Sequence, residues 1–119
     1  MTTQWKKAVP VLPSLDIRRT IDWCVQHLGF DEVHAADGEY GIVERGELEL
    51  HFWFTRDAQL PKASSCRIQV DGIDALYAHC EPQGIVHPNG ALGERPWDTR
   101  EFAVLDPDGN LITFYEYLH

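Results

Sequence analysis

Apolar residues recur at two different periods along this chain, and the changes of period divide it into elements. Ala8 to Leu15 alternates as a strand does. Asp16 then stands where a helix N-cap belongs, and Ile17, Ile21, Cys24, Val25 and Leu28 follow at helical spacing. Gly29 sits at the position that closes a helix in the left-handed region. The plan returns farther on. Cys66-Arg67-Ile68-Gln69-Val70 alternates, Asp71 takes the cap position, and Ile73, Leu76, Tyr77 and Cys80 form a second stripe ending near Pro82 and Gly84. Asp16 to Gly29 spans 13 positions, and so does Asp71 to Gly84.

Strands follow each helix. After the first come Tyr40 to Glu44, a turn at Gly46, and Glu47 to Phe54. After the second come a Gly- and Pro-rich stretch from His87 to Trp97, expected to be a mobile loop, and the strand Glu101 to Leu105. Asp106-Pro107-Asp108-Gly109 then makes a turn into the strand Leu111 to Tyr117, Pro presetting one turn dihedral and Gly supplying a positive one. Phe54 to Ser64 reads as a linker. The expected fold is α+β: one domain over residues 1–119, built of two βαβββ modules at about 8–56 and 64–119.

Alternation also sorts the strand faces. From Glu47 onward, Leu48, Leu50, Phe52 and Phe54 form a core face, while Glu47, Glu49, His51 and Trp53 share the other. A tryptophan beside two carboxylates and an imidazole points to a lined cavity. In the last strand Ile112 and Phe114 face the core, leaving Leu111, Thr113, Tyr115 and Tyr117 opposite. Before the second helix, Ser65, Arg67 and Gln69 take the cavity side; in the first strand Val9, Val11 and Pro13 do.

Composition narrows the chemistry. A net charge of −9 argues against nucleic acid and anionic membrane as partners and suits a cationic small molecule. No apolar run approaches the ~20 residues of a membrane span. Met1 to Lys7 lacks a signal peptide's apolar core, so a cytoplasmic location is expected. Cys24, Cys66 and Cys80 are odd in number and widely spaced, which favours buried reduced thiols over disulfides or zinc. His27, His34, His79, His87 and His119 are scattered over helices, loops and the terminus, so only His51 lies on the presumed cavity face.

The wording Arg100-Glu101-Phe102-Ala103-Val104-Leu105-Asp106-Pro107-Asp108-Gly109-Asn110, with Pro96-Trp97 ahead of it, resembles the closing hairpin of the bleomycin-resistance proteins. That family belongs to the glyoxalase-like, vicinal-oxygen-chelate superfamily. The paired modules and the run Leu48-Glu49-Leu50-His51-Phe52-Trp53 extend the resemblance over nearly the whole chain.

The resemblance implies a homodimer with exchanged strands and two clefts at its interface, with Trp5 and the N-terminal arm reaching the partner. In the enzyme branch the cleft holds a divalent metal, and the corresponding positions here are Val9, Ser65 or Cys66, Glu49 and Thr113. Only Glu49 is a good ligand there, supplemented at most by His51, too few donors for a catalytic metal. The expected function is therefore non-enzymatic, with neither metal nor other cofactor: sequestration of a bulky, flat, cationic ligand, most simply a bleomycin-type glycopeptide.

By resemblance Trp97 stacks on the ligand's bithiazole. Trp53, Tyr40 and Tyr115 are further aromatic platforms, and Glu47, Glu49, Asp37 and Glu39 are candidate negative groups, although residues such as Asp37 and Glu39 in His34-Ala35-Ala36-Asp37-Gly38-Glu39-Tyr40-Gly41 more often just form turns. His51, Arg67 and Thr113 complete the candidate ligand-binding set. Arg100 is expected to orient a neighbouring carboxylate. The rival reading is a metal-dependent lyase or dioxygenase using Glu49 and His51 with help from the partner chain.

Overall fold

Two four-stranded sheets, each with a helix on one face, make up the computed structural model, which describes residues 1–119. The first contains β1 (Val11–Ser14), β2 (Asp31–His34), β3 (Tyr40–Arg45) and β4 (Leu48–Phe54), ordered β1-β4-β3-β2. The second contains β5 (Ser65–Gln69), β6 (Gly93–Arg95), β7 (Thr99–Leu105) and β8 (Leu111–Tyr117), ordered β5-β8-β7-β6. Helices α1 (Ile17–Leu28) and α3 (Ile73–Cys80) occupy equivalent places after β1 and β5, so βαβββ occurs twice. In each sheet the first strand pairs parallel with the last, and the other pairs are antiparallel.

The first helix forms where its caps and stripe place it. The Asp16 carboxylate accepts the Arg19 N–H at 3.0 Å, and Gly29 closes the helix at φ 72°. Ile17, Ile21, Cys24 and Leu28 are buried, whereas Val25 is 40% exposed and lies off the stripe. Gly41 in β3 admits this packing: a Cβ there would lie 2.8 Å from Ile21 Cδ1.

The second helix departs from expectation at its start. Gly72, at φ 85°, is the N-cap, and no side chain caps the helix; Asp71 lies one residue outside. Its far end runs through a 3₁₀ turn, Glu81–Gln83, to Gly84 at φ 71°, the left-handed counterpart of Gly29.

Three other segments differ from the sequence reading. β2 was not foreseen because Asp31, Glu32 and Val33 are exposed on an edge strand, which erases the alternation. The expected linker holds one helical turn, α2 (Gln59–Lys62), with Pro61 buried. The expected mobile loop is tied down. His87 N–H donates to Ala103 O at 2.8 Å, Ala103 N–H donates to Gly90 O at 3.0 Å, and β6 pairs with β7. The first strand is also shorter than expected, since regular pairing begins at Val11.

One core of 17 buried residues draws on both halves, with Leu50 and Phe52 from β4 meeting Phe102, Val104, Ile112 and Phe114 from β7 and β8 in the same cluster. The β7–β8 turn is part of this joint. Asp106, Asp108 and Asn110 are all buried, and Asn110 Nδ2 donates to Pro13 O at 2.8 Å.

Candidate functional site

The sheet faces away from the helices carry the chemistry, and strand alternation alone puts it there. On the first sheet, β4 presents Glu49, His51 and Trp53 beside Tyr40 and Ile42 of β3, with His51 opposite Ile42 and Trp53 opposite Tyr40. The polar groups form a chain. Tyr40 OH bonds His51 Nδ1 at 2.8 Å, and His51 Nε2 bonds Glu49 Oε1 at 3.0 Å. Lys7, from the N-terminal arm, donates to the other carboxylate oxygen of Glu49. These contacts with His51 and then Lys7 hold the Glu49 carboxyl below its usual range. Trp53 is 39% exposed, a free aromatic surface beside a polar chain.

The donor atoms on this face are already engaged with one another. Both Glu49 oxygens already have partners, Tyr40 holds the second nitrogen of His51, and no group of three or more His, Cys, Asp or Glu side chains is placed to share a metal. Of the other positions, Val9 has no side-chain donor, Ser65 and Thr113 offer only hydroxyls, and burial pushes the Cys66 thiol up to about 11, away from the thiolate a metal needs.

On the second sheet the organising group is Glu101, which the sequence reading passed over. It lies on the open side of β7 yet is only 6% exposed. Arg67 Nη2 donates to its carboxylate at 2.9 Å, Thr99 Oγ1 at 2.8 Å and Trp97 Nε1 at 3.2 Å. Burial raises its pKa, and the bonds from Arg67, Thr99 and Trp97 more than reverse this, leaving it lowered. The signal in the sequence was a carboxylate directly before the apolar run Phe102 to Leu105 of the same strand.

Arg67 also lies over the Tyr115 ring, 4.6 Å from its centroid. Its guanidinium is thereby committed to Glu101 and Tyr115, which makes it part of the surface's frame. Thr113 pairs with Arg67 on one side and Ala103 on the other, at the centre of the sheet. Tyr115 and Tyr117 meet edge to face with centroids 5.5 Å apart.

Trp97 stands at the tip of the β6–β7 hairpin, 57% exposed. Pro96, Trp97 and Asp98 form a three-residue loop between Arg95 and Thr99, closed by Asp98 N–H to Arg95 O at 3.1 Å. Pro suits the first position of such a turn, and Asp98 adopts the left-handed conformation at φ 63° that the loop requires.

The remaining sequence candidates fall outside these faces. Asp37 accepts the Glu39 and Tyr40 N–H groups and pairs with His34, contacts that lower its pKa to about 2 and mark it as a turn former. Arg100 pairs with Asp74 of α3 at 2.7 Å, a structural contact on the helix side. A cavity of about 450 Å³ lies on the helix side too, between Leu28, Phe30 and Leu48 of one half and Ile68, Leu76 and Phe114 of the other. It reaches neither aromatic face, so the exposed rings and not this hollow define the candidate site.

The chain is similar in sequence and fold to known proteins. The bleomycin resistance protein of Geobacillus stearothermophilus is 37% identical over 129 residues, covering 94% of this chain and 97% of that protein. The structure of a bleomycin-binding protein from bleomycin-producing Streptomyces verticillus, complexed with copper(II)-bleomycin, is similar with a TM-score of 0.84 at 30% identity, covering 95% and 97% of the two chains. A bleomycin-binding protein complexed with bleomycin gives a TM-score of 0.79 at 29% identity, covering 94% and 98%. With residues 9–114 matching its defining pattern, the chain belongs to the Glyoxalase/Bleomycin resistance protein/Dioxygenase superfamily.

Proposed function

We propose that this protein binds and sequesters a bulky, cationic, aromatic ligand of the bleomycin type, with no bond made or broken. The observation that carries the reading is Trp97, a tryptophan more than half exposed yet held in place by a buried carboxylate. An exposed indole in a fixed orientation is suited to stacking on a flat heteroaromatic ring. Trp53, Tyr40 and Tyr115 add aromatic area, and Glu49 with the −9 net charge favours a cationic ligand. The relatives whose names and bound ligands specify bleomycin support this choice of ligand.

The cleft in this reading is completed by a second copy of the chain. Val11 and Trp53 leave apolar area open on the first sheet, and Trp97 and Tyr117 do so on the second. The accessible surface of 7252 Å² exceeds the roughly 6,600 Å² expected of a folded monomer of this mass, as an unpaired protomer's would. The reducing cytoplasm suits the three free cysteines.

The test is a tryptophan-fluorescence titration with metal-free bleomycin, repeated on Trp97→Ala, with sedimentation fixing the oligomeric state. Saturable quenching at one ligand per chain is expected. The variant should bind about tenfold more weakly, the size of losing a ring contact worth roughly 1.5 kcal/mol. Absence of binding by the unaltered protein would remove bleomycin as its ligand.

A further inference from the structure

Glu101 occupies an unusual place for a carboxylate. Its strand face is otherwise Thr99, Ala103 and Leu105, and taking a charge out of water there is costly unless every oxygen is paired. Oε2 accepts from Arg67 Nη2, Thr99 Oγ1 and Trp97 Nε1, while Oε1 faces Arg67 Nη1 at 3.4 Å and Arg95 Nε at 3.9 Å. The donors come from three separate segments, β5, the β6–β7 hairpin and β7 itself. Two of them lead to aromatic rings: Trp97 directly, and Tyr115 through the Arg67 guanidinium stacked on it.

We propose that Glu101 is the positioning residue of this site, locking Trp97 and, by way of Arg67, Tyr115 into one preset stacking surface before any ligand arrives. The proposal rests on the reading of Trp97 as a ligand platform and adds how its orientation is set. The hairpin loop delivers the Trp97 backbone to the rim, but with more than half its surface in water the indole has little packing to select a rotamer. The hydrogen bond to Glu101 makes that selection. Ordering a side chain in the free protein lowers the entropy lost on binding, so preorganisation appears as affinity.

The experiment separates the two claims by reading Trp97 first without ligand. Near-ultraviolet circular dichroism and time-resolved fluorescence anisotropy are recorded for the unaltered protein, Glu101→Ala and Glu101→Gln, each differenced against the same protein carrying Trp97→Phe. This isolates Trp97 from Trp5, Trp23 and Trp53. Glu101→Ala should abolish the Trp97 dichroic band and add fast depolarisation. Glu101→Gln keeps an acceptor oxygen for the indole N–H and should retain most of both signals, which keeps the test available should the alanine variant fail to fold. Metal-free bleomycin is then titrated, with a tenfold or greater loss of affinity expected for Glu101→Ala and a smaller one for Glu101→Gln.

A folded Glu101→Ala protein with an unchanged Trp97 signal would overturn the proposal. So would a lost signal with undiminished affinity, or a glutamine variant as disordered at Trp97 as the alanine one. Failure of the unaltered protein to bind bleomycin, with the Trp97 signals behaving as expected, would instead sink the choice of ligand and leave the positioning role intact.

Discussion

The Asp108 carboxylate accepts the backbone N–H of Leu15 at 3.0 Å, joining residues 93 positions apart. The same carboxylate pairs with Arg19 and is 1% exposed, so the tip of the last hairpin is bolted to the start of the first helix. A turn that looked like a surface connection in sequence is a joint between the two halves.

Replacing Asp108 with alanine should therefore cost roughly 1–2 kcal/mol, chiefly from the partly buried Leu15 N–H left without its acceptor, since the half-exposed Arg19 guanidinium returns to water. Urea denaturation at fixed protein concentration measures this. A loss below half a kcal/mol would mean that the joint contributes little.

Acid should act through Glu101. Its carboxyl has a lower pKa in the folded protein than the ordinary 4.5, with the bonds from Arg67, Thr99 and Trp97 outweighing burial. A lowered folded value stabilises the fold fully above the unfolded pKa, and the gain disappears as pH falls through the folded one. The stability difference between the unaltered protein and Glu101→Gln should thus be constant near neutrality and shrink below pH about 4.5. Asp106 works in the opposite sense, since burial raises its pKa, but it is common to both proteins and cancels. A difference that grew on acidification would contradict the assignment.

Gly41→Ala tests the packing of α1 on the first sheet. The added methyl would lie 2.8 Å from Ile21 Cδ1 and 3.1 Å from Ile17 Cγ2, contacts that the two buried side chains must relieve by shifting. Overpacking of this kind costs about 1–3 kcal/mol, and thermal melts of the variant should show it directly. An unshifted melting temperature would show that the helix can move freely.

Divalent metals provide the check on the rival enzyme reading. With Glu49 engaged by His51 and Lys7, titration of chelator-treated protein with Zn²⁺ or Mn²⁺ should give no saturable site, and His51→Ala should not change that. One tight ion per chain, lost in the variant, would restore the lyase or dioxygenase reading.

Much of the fold was legible in the pattern of the chain. The first helix and its two caps, the core and open faces of β4 and β8, and the hairpin at Asp106 to Asn110 all follow from spacing and turn residues. Each is governed by a periodicity or a backbone dihedral within a few neighbouring residues. The short edge strands β2 and β6 escaped because an edge buries too little to leave an alternating imprint.

The candidate site divides along the same line. Alternation along the strands placed His51 with Glu49 and Trp53, and Arg67 with Gln69, on their open faces. What each polar group is bonded to was not encoded locally. That Arg67 reaches Glu101, or that Asp108 accepts from Leu15, depends on strands and turns meeting across 34 to 93 positions of sequence. The sequence by itself determined which side of the longer strands and of the first helix meets water, because burial leaves a local period. Only the tertiary structure decided which buried carboxylate finds which donor, because those pairings exist only once separate strands pack together.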